Sequence, residues 1–151
     1  MKTLAAILIA LALAGCTTCH MPRVDADAET PTAADMDRVI DYLDRLWFDM
    51  GVQFIPAVND CKHYASLKAQ MARMIVQQST RSTVAPAISV AHVYQTKPWA
   101  GIPVAPMHAV VLYETSDKGL RVWEPQGVVT CPIAEYPNQV VTVIKQRETE
   151  K

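Results

Sequence analysis

The chain has 151 residues, half of them hydrophobic and 19% charged, with 14 Lys plus Arg against 15 Asp plus Glu. That suffices for one domain with a real core and is too little for two. A formal net charge of −1 leaves no basic surplus to neutralise a phosphate backbone, which argues against nucleic acid as a partner, and the apolar content excludes a disordered chain.

Met1-Lys2-Thr3 is a short basic start, Leu4 to Ala14 is an unbroken apolar run, and Gly15-Cys16 follow. A run of 11 is too short for a bilayer, which takes roughly 20 residues, and suits the core of a signal peptide. Leu13-Ala14-Gly15-Cys16 resembles the bacterial lipobox. That resemblance implies removal of residues 1–15 and a diacylated Cys16 as the new N-terminus. It also implies a membrane as partner through the lipid, and Thr17 in place of Asp implies the periplasmic face of the outer membrane. Ordinary cleavage after Ala12-Leu13-Ala14, which has the same small-x-small form, is the alternative. Cys16-Thr17-Thr18-Cys19-His20 also matches the C-x-x-C-H pattern of haem attachment. Cys16 cannot carry both a lipid and a haem thioether, and Pro22 opens a stretch rich in Asp, Thr, Ala and Pro. Residues 16–32 therefore read as the lipidated Cys and a flexible tether, with no cofactor, and residues 33–151 as the domain.

Thr32-Ala33-Ala34-Asp35 has the form of a helix N-cap. Met36, Val39, Ile40, Leu43, Leu46, Trp47 and Met50 then recur at helical spacing, Asp37, Arg38, Asp41, Asp44 and Arg45 fill the other face, and Gly51 ends the element. Asn59-Asp60 can cap a second helix over Cys61 to Gln78, with Tyr64, Leu67, Met71, Met74 and Ile75 as its stripe and Ala65, Ala69 and Ala72 on one flank. Beyond the break at 79–83 everything reads as strands: Ala87 to Gln95, Met107 to Thr115, Leu120 to Glu124 and Gln139 to Lys145. Ser116-Asp117-Lys118-Gly119 is a hairpin signal between the second and third of these. Two helices followed by an antiparallel sheet predict an α+β fold.

Cys61 falls at the start of the second helix, where unpaired N–H groups and the helix dipole stabilise a thiolate. His108 opens a strand and Glu124 closes the next. Cysteine, histidine and acid in that order match a nucleophile, its base and a group that orients the base. Taken singly, a cysteine opening a helix is usually a small buried residue and a strand histidine a core or surface one. Cys61, His63 and His108 lack a fourth ligand for a metal site, and no metal is expected.

Asn59-Asp60-Cys61-Lys62-His63-Tyr64-Ala65 resembles the Asp-Cys-x-x-Tyr-Ala signature of bacterial transglutaminase-like cysteine proteases, a group of the papain-like superfamily. His108-Ala109-Val110-Val111-Leu112 resembles that group's His-Ala-Val strand, and Leu120 to Glu124 its following strand, which ends in Asp. The three blocks span about half of the domain. The resemblance implies a papain/transglutaminase-like domain in which Cys61 is nucleophile, His108 general base and Glu124 orienter. It implies a cysteine hydrolase, a peptidase or amidase acting on a peptide or cell-wall amide through an acyl-enzyme, or the corresponding acyltransferase. The alternative is an inactive binding or structural lipoprotein on the same frame. Glu stands where the group has Asp, and Gln126 is a competing orienter.

A three-residue loop Asp117-Lys118-Gly119 would set Leu112 against Glu124 and Val110 against Gln126, with both polar groups on His108's face and Gln126 the nearer. The Cys61 backbone N–H is the expected oxyanion donor, with Gln53 as a second candidate. In an oxidising compartment Cys61 could pair with Cys131, which would abolish the nucleophile; the expected bridge is Cys19 to Cys131. A monomer is expected.

Overall fold

A computed structural model of the chain describes residues 30–52, 61–79, 86–99, 101–127 and 129–144. The lipobox with Cys16, the Cys19 half of the expected disulfide, Gln53 and the Asn59-Asp60 cap lie outside the described residues.

Helix α1 (Ala33–Asp49) begins on a reciprocal capping box. The Thr32 hydroxyl accepts from the Asp35 N–H at 3.1 Å, and the Asp35 carboxylate accepts from the Thr32 N–H at 3.1 Å. At the other end Gly51 takes φ +66°. The Val52 N–H then bonds the Trp47 carbonyl and the Gly51 N–H that of Phe48, the double closure that a left-handed residue after a helix permits. Met36, Val39, Ile40, Leu43 and Trp47 are buried as their spacing predicts, while Met50 is exposed.

Helix α2 (Cys61–Ser79) buries Tyr64, Met71 and Ile75 of the expected stripe but is rolled toward its small-residue flank. Leu67 and Met74 are exposed, and the inner face is Tyr64, Ala65, Lys68, Ala69, Met71, Ala72, Ile75 and Val76. The small residues are the reason: Ala65, Ala69 and Ala72 let the helix backbone approach its neighbours closely, and the three are wholly buried.

The sheet consists of β1 (Ile88–Tyr94), β2 (His108–Thr115), β3 (Gly119–Glu124), β4 (Val129–Pro132) and β5 (Gln139–Ile144), in the order β4-β3-β2-β1-β5 with every pair antiparallel. The fold is α+β. Helix α2 lies on β1 and β2, and α1 packs on α2. Ile88, Val90, Ala109, Val111, Tyr113 and Trp123 meet the helices on one face. On the other, Ala91, Val93, Val110, Leu112 and Val122 are covered by Tyr136 together with Trp99, Cys131, Ile133 and Val140. Both central strands are thus buried on both sides, which is why β2 is apolar from Ala109 to Tyr113 without a break. Among the described residues no helix is long and apolar enough to cross a membrane.

The β2–β3 hairpin corrects the expected register. Thr115 pairs with Gly119 and Leu112 with Val122, so the loop is Ser116-Asp117-Lys118. The Thr115 side chain closes the turn one residue early, donating to the Gly119 carbonyl at 3.0 Å and accepting from the Lys118 N–H at 3.2 Å. Gly119 supplies the positive φ, +64°. The Asp117 side chain also reaches out of the hairpin: its carboxylate accepts from the Ala33 N–H at 2.8 Å, while the Ser116 N–H bonds the Pro31 carbonyl. The pairing moves by two residues, so the faces are preserved and the neighbours change.

Candidate active site

Cys61 is the first residue of α2, half-buried, and packs against the helix-side core. His108 is the first residue of β2 and Glu124 the last of β3, and both are buried. Val111 pairs with Trp123, so continuing the ladder sets Glu124 against Val110, one diagonal step from His108 on the same face. Diagonal neighbours lie about 7–8 Å apart at Cα, within reach of a long side chain. The extra methylene of Glu spans that gap: His108 Nε2 and Glu124 Oε2 are 2.6 Å apart. His108 also hydrogen-bonds the Cys61 side chain, so the three residues named from the sequence converge.

The Gln126 side chain is not the group that meets the ring. The residue's backbone N–H donates to Glu124 Oε1 at 3.1 Å, and its side-chain Nε2 is buried with no hydrogen-bond partner among the described residues. The two-residue shift brings Glu124 within diagonal reach of the imidazole, and β3 ends there: the turn at 125–127 takes Gln126 off the ladder before it can stand opposite His108. Cys61 and Cys131 are not joined to each other, and neither is in a disulfide among the described residues. Burial and the nearby Glu135 push the Cys131 thiol up, partly offset by Arg121.

The electrostatics favour a charged ring. Burial works against the imidazolium, but hydrogen bonds to Cys61 and Glu124, with their negative charge, outweigh it and raise His108 to about 9. At neutral pH the ring carries both protons and has only donors to offer, so Nε2–H donates to the carboxylate. A sulfur facing such a ring acts as acceptor, the arrangement of a thiolate–imidazolium pair. Among the described residues no three His, Cys, Asp or Glu side chains are arranged to hold a metal ion.

One feature near the site is absent from the sequence reading. Lys68 is wholly buried, 2% exposed, on the inner face of α2. Its ammonium is paired with Asp44 of α1 and donates to the Pro125 carbonyl at 2.8 Å. Nζ also lies 5.2 Å from the Trp47 ring centre, 5.1 Å from Tyr64 and 5.6 Å from Trp123, within cation–π range of all three. Burial pulls the Lys68 ammonium below the ordinary lysine range, with the Asp44 hydrogen bond opposing. The signal was there: Tyr64, Lys68 and Ala72 share one helical stripe, so a lysine stands among apolar positions.

No family model matches the sequence, and no curated protein matches it either.

Proposed function

We propose that the domain is a papain/transglutaminase-like cysteine hydrolase of the cell envelope, cleaving a peptide or cell-wall amide. The observation that carries this is the continuous hydrogen-bonded array Cys61–His108–Glu124, with the ring and the carboxylate both buried. The Cys61 thiolate attacks the amide carbonyl carbon, forming a C–S bond and an oxyanion. The Cys61 N–H, at the positive end of the α2 dipole, is the donor proposed for that oxyanion. His108 then gives a proton to the leaving nitrogen as the C–N bond breaks. Water attacks the thioester with His108 as base, and the C–S bond breaks to release the acid. Glu124 holds the ring's orientation and stabilises its charge throughout. Cys16 carries the lipid that keeps the domain at the outer membrane.

Two measurements test this. Iodoacetamide near pH 6, followed by peptide mass spectrometry, labels Cys61 and spares Cys131; equal rates for the two overturn the reading. Purified protein releases amine from a panel of peptide and crosslinked muropeptide amides, and Cys61→Ser abolishes that release; turnover that survives the substitution overturns it as well. The anchor is read separately, by uptake of labelled fatty acid in a bacterial host, which Cys16→Ser abolishes.

A further inference from the structure

The Lys68 ammonium and the Glu124 carboxylate are joined through a single peptide group. Lys68 Nζ donates to the Pro125 carbonyl at 2.8 Å, and the N–H at the other end of that same peptide, on Gln126, donates to Glu124 Oε1 at 3.1 Å. Glu124 Oε2 lies 2.6 Å from His108 Nε2, and His108 bonds Cys61. A donor on a peptide's carbonyl strengthens the donation from its N–H, since hydrogen bonds in a chain polarise one another in a low-dielectric interior. Both carboxylate oxygens of Glu124 are thereby committed.

We propose that Lys68 is a positioning residue for Glu124: its ammonium, fixed by Asp44 and the rings of Trp47, Tyr64 and Trp123, holds the Pro125–Gln126 peptide so that the Gln126 N–H stays aimed at the carboxylate that orients His108. Packing alone does not account for a lysine here. Burying an ammonium carries a desolvation cost that a well-packed apolar side chain avoids, and replacing such a pair by neutral residues is often harmless to stability. What an apolar residue cannot supply is the donor to the Pro125 carbonyl. Glu124 closes β3, and beyond it 125–127 is a turn whose Gly127 N–H returns to the Glu124 carbonyl at 3.3 Å. The ammonium therefore fixes the one peptide of that turn that touches the carboxylate.

The inference rests on the cysteine-hydrolase reading, and its test is independent of substrate. The double variant Lys68→Met with Asp44→Asn removes both charges while keeping side-chain length. The His108 midpoint, followed by NMR of its imidazole protons, starts at about 9 in the unaltered protein. It falls by roughly one unit in the double variant, because a carboxylate that is no longer held stabilises the imidazolium less. A rise in the midpoint overturns the proposal, since that is what loss of a merely nearby positive charge produces. A lowered melting temperature with the midpoint unmoved overturns it too, since that marks a packing role. Lys68→Gln with Asp44→Asn, a neutral pair that can still bond each other, serves if the first double variant fails to fold: with no net change of charge, a fall of the same sign supports the proposal and an unchanged midpoint sinks it. If Cys61 in the unaltered protein alkylates like an ordinary thiol, the hydrolase reading has failed. If Cys61 is reactive but the variants leave His108 unmoved, only this inference has.

Discussion

Cys61 stands at the tip of α2 against His108, while Cys131 stands on the edge strand β4 across from Val122, with Glu135 in the following turn. Neither is in a disulfide among the described residues and both are half-buried, so exposure does not separate them. Their neighbours do. The first faces an imidazolium whose charge is secured by a buried carboxylate; the second sits among apolar side chains near a carboxylate that repels a thiolate. If Cys61 is the nucleophile proposed above, what a thiol faces sets its reactivity, and the contrast makes Cys131 an internal control in every experiment on Cys61.

The largest way to break the contrast is His108→Ala. At pH 6 Cys61 then alkylates on the order of tenfold more slowly, the thiolate fraction falling further than its rising nucleophilicity can offset. Competition mass spectrometry puts the two cysteines at similar rates. The same variant changes the pH dependence of folding. A group raised from 6.5 to about 9 contributes stability in full below 6.5 and loses it as pH rises through 9. Denaturant melts of the unaltered protein weaken across that window; those of His108→Ala do so less. A smaller effect comes from Glu124→Gln, which keeps the shape and removes the charge and slows Cys61 alkylation several-fold. Gln126→Ala leaves the rate within about twofold, because the contact to Glu124 is made by its backbone N–H. A strong effect of Gln126→Ala with none from Glu124→Gln would reverse the assignment. The smallest change is expected from Glu135→Gln, which speeds Cys131 at pH 8 by less than about twofold, since solvent screens the pair, and leaves Cys61 alone.

Much of the fold was legible because local chemistry and tertiary packing agree along most of the chain. Thr32 with Asp35 caps α1, Gly51 ends it, and the β-rich runs are strands to within a residue or two at their ends. Where they conflict, reading from residue size fails. Leu67 and Met74 look like core and are exposed, because close approach at Ala65, Ala69 and Ala72 decides which way α2 rolls. Strand β4 was missed because four residues ending in Pro132 carry almost no periodic signal, and its pairing comes from β3. Cys61, His108 and Glu124 could be named from type, order and flanking residues. Choosing Glu124 over Gln126 needed two tertiary details: the Thr115 bonds that move the hairpin by two residues, and the turn at 125–127 that ends β3 at Glu124.

The hairpin tip has a mechanical consequence. Strand β2 runs from His108 at one end to Thr115 at the other, seven steps of about 3.3 Å, or roughly 23 Å. At the far end Ser116 and Asp117 clasp Pro31 and Ala33, the point where the tether from Cys16 would enter the domain. A load drawn through that tether is taken up at the pole opposite the thiol. A pull on the chain before Pro31 would therefore be borne by the hairpin tip and would leave His108 and Cys61, at the other end of β2, without load.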